Sequence, residues 1–78
     1  MHDCFSNAYV SLLDAIEHHE KVALFFVTAA HKEALAGEER RADRLRRYGR
    51  EMRVKALRMS GEAAALVDRY HYLASQER

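Results

Sequence analysis

Proline and tryptophan are absent from this 78-residue chain, glycine occurs three times and cysteine once. Without proline, no position is barred from a helix interior by a missing backbone N–H. The lone Cys4 excludes a disulfide within the chain and fits a reducing compartment. It reads as an incidental thiol. The longest uncharged and largely apolar run, 22–30, has nine residues, where spanning a bilayer takes about twenty. The opening Met1-His2-Asp3-Cys4-Phe5 has no basic region followed by a long apolar core, so no secretory leader is expected. These absences predict a soluble cytoplasmic protein with no membrane insertion. A chain this short makes one small domain, 1–78, and such domains need a disulfide, a metal, an oligomer or very regular helix packing to be stable.

Regular helix packing is what the residues spell out. Ala42, Leu45, Gly49, Met52, Ala56, Met59, Ala63, Leu66, Tyr70 and Leu73 follow one another in alternating steps of three and four. This is a heptad with small residues at one seam position and Leu or Met at the other, until Tyr70 ends the small series. A second stripe, Phe5, Tyr9, Leu12, Ile16, His19, Ala23, Phe26 and Ala30, has the same spacing. Between the two stripes lies Ala36-Gly37-Glu38-Glu39. Gly37 suits the left-handed residue that ends a helix, and the two acids suit the positive end of the next helix dipole.

The expected fold is therefore all-α: an antiparallel two-helix hairpin with coiled-coil-like packing. Helix one is placed at residues 6–36 and helix two at 38–75. At 1.5 Å per residue they would be roughly 46 and 57 Å long. Residues 22–27 also read as a short buried strand, since periodicity does not separate the two for so short a run. The helical reading is preferred because helix-period apolar residues continue on both sides. Gly61, after Ser60, is a second open point: a break near 59–61 would give three helices. It falls at an outward heptad position, and a glycine inside a helix costs about 1 kcal/mol relative to alanine.

The titratable residues do not assemble into a reaction centre. His18-His19-Glu20 are adjacent, so the two histidines diverge by about 100° around a helix. Neither His-Glu-x-x-His nor Glu-x-x-His occurs, and Asp68-x-x-His71 stands without a second half. His19 sits in the seam as a polar core residue. There is no glycine-rich nucleophile turn, and a thin rod has little room for a water-excluding pocket. The sequence accordingly assigns no catalytic residue, no metal ligand and no cofactor, and reads as a non-enzyme.

A hairpin buries one stripe per helix, and this chain carries more apolar surface than that. Val22, Leu24, Phe25 and Ala29 lie off the first stripe, and Leu57, Val67 and Tyr72 off the second. Left wet, they would form a contiguous patch of the kind that marks an interaction site. They are the candidate partner-binding residues, and the partner is another helical protein or a second copy of the chain.

Charge is segregated. Residues 1–37 carry −3, residues 38–58 carry +5 and residues 59–78 carry −1. The basic segment holds Arg40, Arg41, Arg44, Arg46, Arg47, Arg50, Arg53, Lys55 and Arg58. With Glu39, Asp43 and Glu51 interleaved, i,i+3 and i,i+4 pairs to Arg46 and Arg47 would make a solvated charged face. The alternative reading is a homodimeric four-helix bundle that binds nucleic acid through residues 40–58.

The proline-free two-helix plan, the Leu12-Leu13-Asp14-Ala15-Ile16-Glu17 opening, the Gly37 turn and the segment Ala65-Leu66-Val67-Asp68-Arg69-Tyr70-His71 resemble the small co-chaperones of type III secretion needle subunits. The resemblance covers most of the chain. It implies a hairpin that binds a larger helical-repeat chaperone, the two together keeping an aggregation-prone needle subunit monomeric in the cytoplasm. The dense arginine segment departs from that pattern.

Overall fold

The computed structural model describes residues 2–76. Met1, Glu77 and Arg78, which enter the leader and charge readings, lie outside them. Two helices account for nearly all of the described chain: α1, His2–Leu35, and α2, Glu39–Gln76. They pack along their length as an antiparallel hairpin with extents of 63 × 16 × 11 Å.

The turn follows from Gly37. Its φ is +82°, the left-handed region that L side chains disfavour. That conformation lets the Glu38 N–H donate to the Glu33 carbonyl at 2.9 Å and the Gly37 N–H donate to the Ala34 carbonyl at 3.1 Å. These are the two bonds of a Schellman cap, and they satisfy carbonyls that the end of α1 would otherwise leave bare. The Ala42 N–H then donates to the Glu38 carbonyl at 3.0 Å and opens α2. Glu39 places its acid in the first turn, where the dipole favours it.

One boundary expectation is corrected, and two open points close on the preferred reading. α1 begins at His2, four residues before the expected start. Residues 22–27 are helical, not a strand. α2 runs unbroken through Gly61. A Cβ built on Gly61 meets nothing within 4 Å, so this glycine faces open space and the seam passes beneath it. The loss of about 1 kcal/mol there is not enough to divide a helix held on both sides.

The register is fixed by side chains at both ends. Phe5 stacks on Tyr70 with centroids 4.3 Å apart, and the Phe26 ring lies 5.6 Å from that of Tyr48. Carried between these points, the antiparallel register sets His19 across from Ala56, Ala23 across from Met52 and Leu12 across from Ala63. A large residue on one helix meets a small one on the other. Gly49 is a point of close approach. A Cβ there would lie 3.4 Å from the Ala23 carbonyl oxygen, 3.4 Å from Phe26 Cβ and 3.6 Å from a Val27 methyl. His19 is half-buried in the seam, where its Nδ1–H donates to the Ala15 carbonyl at 2.7 Å and so leaves one ring nitrogen satisfied within its own helix.

The buried seam consists of Ala23, Ala30, Ala42, Gly49, Ala56 and Ala63. Among the described residues, no large side chain is fully buried. Fully burying a Leu or Phe contributes about 1.5–3 kcal/mol. Two helices alone do not provide that burial for any of the large apolar residues present.

Candidate interaction surfaces

The seven residues expected to bind a partner do not share one patch. Helical geometry turns Leu24 about 100° from Phe25, and each faces a different flank of the hairpin. Phe25 lies beside Phe26, with centroids 5.8 Å apart, and Phe26 lies beside Tyr48. Val22 and Ala29, three residues before and four after Phe25, are half-buried along the same flank. The result is an aromatic face: Phe25 is 66% exposed and Tyr48 is 49% exposed, so most of the cluster is open to a partner.

Leu24 belongs to the opposite flank with Val27, one turn further on. Val27 borders a groove with Gly49, Arg46, Arg50 and Arg53. Leu57 follows Arg53 by one turn and is as exposed as Phe25. Val67, two heptads past Arg53, is half-buried on that flank. We refer to this flank as the arginine face. Tyr72 is exposed near the end of α2. In the antiparallel register it stands roughly 33 Å along the rod from Phe25, beyond the reach of a common small patch.

Tyr48 was not among the residues expected to bind, although it shares the aromatic face with three that were. The signal for it is present in the sequence: it immediately precedes Gly49, the one glycine of the seam, and so flanks it. Val10 and Leu13 were also passed over; both are exposed on α1.

Of the arginine pairs expected from spacing, one side chain makes them. Arg46 donates to Asp43 at 2.7 Å and lies 3.8 Å from Glu39. Among the described residues, no other cation of segment 40–58, Arg47 included, is ion-paired; the remaining pair is Lys21 with Glu17 in α1 at 3.1 Å. Exposed pairs of this kind contribute roughly 0–1 kcal/mol each.

No group of three or more His, Cys, Asp or Glu that could hold a metal ion occurs among the described residues. At the open end of the hairpin, Cys4, Phe5, Leu66, Arg69, Tyr70 and Leu73 line a shallow hollow; Cys4 is exposed at its rim. No helix among the described residues is long and apolar enough to cross a membrane. Comparison with protein-family models, with curated proteins and with solved structures finds no match for this chain.

Proposed function

We propose that this chain is a protein-binding co-chaperone or assembly factor that completes its core on a helical partner, as needle-subunit co-chaperones of type III secretion systems do. One observation carries the reading: the Phe25–Phe26–Tyr48 cluster, with Phe25 and Tyr48 exposed, borders a seam whose buried residues are all alanine or glycine. A hairpin built this way leaves its largest apolar groups half in water. A helix laid against the aromatic face removes them from water together with its own apolar stripe. Covering a partner's apolar helix keeps that helix from polymerising early, and mass action stabilises both chains. The reading places this work in the cytoplasm and needs no catalytic group and no cofactor.

The test is capture of tagged chain from its native host after nuclease treatment and a high-salt wash, with Phe25→Asp in parallel. The expected result is one small helical protein retained stoichiometrically by the parent chain and lost with the variant, while the circular dichroism of the two chains is the same. Recovery of the parent chain alone contradicts the proposal. So does a partner that the variant retains.

A further inference from the structure

The antiparallel register sorts charge along the rod. It sets residues 17–37 beside 38–58 at the turn, and residues 2–16 beside 59–76 at the open end. The loop half holds eleven Lys and Arg against seven acids, and the open half one against four. The rod is therefore +4 at one end and −3 at the other. Folding does not use the positive end. Of nine basic residues in 40–58, Arg46 alone is ion-paired among the described residues, and the rest point into solvent from every side of α2 except the seam.

We propose that the loop half is a docking surface for the phosphodiester backbone of a nucleic acid, bound without base readout. Eight of the nine cations are arginine, whose planar guanidinium engages phosphate through two parallel N–H bonds. Arg46, Arg50 and Arg53 border one groove, with Gly49 and Val27 forming apolar ground between them. Their positions along the helix step by about 6 and 4.5 Å, so successive guanidinium groups can follow a polyanion strand. Arg40, Arg44, Arg47 and Arg58 continue the basic surface around the helix. An acidic stripe on a protein helix would meet one of these rows. A nucleic-acid backbone curving past the rod meets several. The surface rests on α2 cations and not on the aromatic face, so it stands or falls separately from the function proposed above.

The test is fluorescence anisotropy of the full chain with labelled oligonucleotides of about 20 residues, single-stranded and duplex, in two unrelated sequences, across a salt series. The expected result is binding at about 50 mM salt that weakens with a log–log slope of about −3 to −5 and is alike for the two sequences. The single-strand and duplex arms identify which form of backbone fits. The triple variant R47Q/R50Q/R53Q is expected to bind at least about tenfold more weakly and to lose about two to three from the slope, with helicity unchanged. Arg69→Gln, in the open half beside Leu66 and Leu73, is expected to leave affinity within about twofold. Absence of binding at low salt overturns the proposal, as does a triple variant that binds like the parent. A strong preference for one sequence overturns backbone-only recognition. Displacement of the label by polyglutamate as readily as by unlabelled nucleic acid, at equal charge, reassigns the surface to an acidic protein.

Discussion

The two halves of the hairpin hold their helices together by different means. In the loop half the seam is Ala23, Ala30, Ala42, Gly49 and Ala56, all buried. At Gly49 the backbone of one helix comes within van der Waals reach of the other. In the open half, Ala63 alone among the described residues is buried, and rings stand in the seam, with Phe5 stacked on both Tyr9 and Tyr70. Small residues give close approach and little apolar area. Large residues give area but stay half in water when only two helices are present. The difference shows how a heptad can satisfy packing geometry without supplying a core, and why the remaining apolar groups gather on the flanks.

The sharpest way to break the contrast is Gly49→Leu. A Cβ would already sit at 3.4 Å from Ala23 and Phe26, so the atoms beyond it must push the helices apart or splay into the groove beside Val27. The expected cost is about 2–3 kcal/mol, read as an earlier urea midpoint by circular dichroism; an unchanged midpoint would mean the helices do not meet at this point. Next comes the open half, where Tyr70→Ala removes the stack on Phe5. Because Tyr70 is half-buried, a loss of about 1.5–2 kcal/mol is expected, with faster hydrogen exchange confined to the two chain ends near it. Uniform acceleration along both helices would contradict the division into halves.

The glycines of the two halves should respond with opposite signs. Gly37→Ala forces a Cβ into a positive-φ turn and is expected to destabilise by about 1 kcal/mol. Gly61→Ala fills open space on a helix and is expected to stabilise by about the same amount. Thermal melts of the two variants beside the parent check both signs. The smallest effect is Asp43→Asn. It removes the 2.7 Å partner of Arg46, but the pair is well exposed, and a change under about 0.5 kcal/mol is expected.

These particular residues also explain what could be read in advance. The heptads of both stripes and the Gly37 turn made the hairpin legible, because seam spacing and a left-handed cap are local properties. The continuity of α2 was less so. Periodicity passes through Gly61 without pricing it, and only the open space around the residue shows that its cost is purely one of propensity. The candidate surface was half legible. Val22, Leu24, Phe25 and Leu57 were recognised as off the seam, but distance from a stripe carries no sign. Which flank each occupies depends on the register against the other helix, and that register is held by Phe5–Tyr70 and Phe26–Tyr48. Tyr48 gained its place from a neighbour 22 positions earlier in the chain, a relation that no window along one helix contains.

The capped turn at Gly37 also sets an order of events. Every contact between the helices spans it, so the sequence distance closed by a contact grows steadily from the turn to the open end. Ala30 and Ala42 are brought together by closing a short loop, whereas Phe5 and Tyr70 must close nearly the whole chain. Since loop-closure entropy rises with the length closed, the hairpin should zip from the turn outward, with the aromatic stack forming last and parting first. A newly made chain would then hold its alanine seam shut while its open end still samples separation. In that interval, the ringed end is where another helix could be exchanged in.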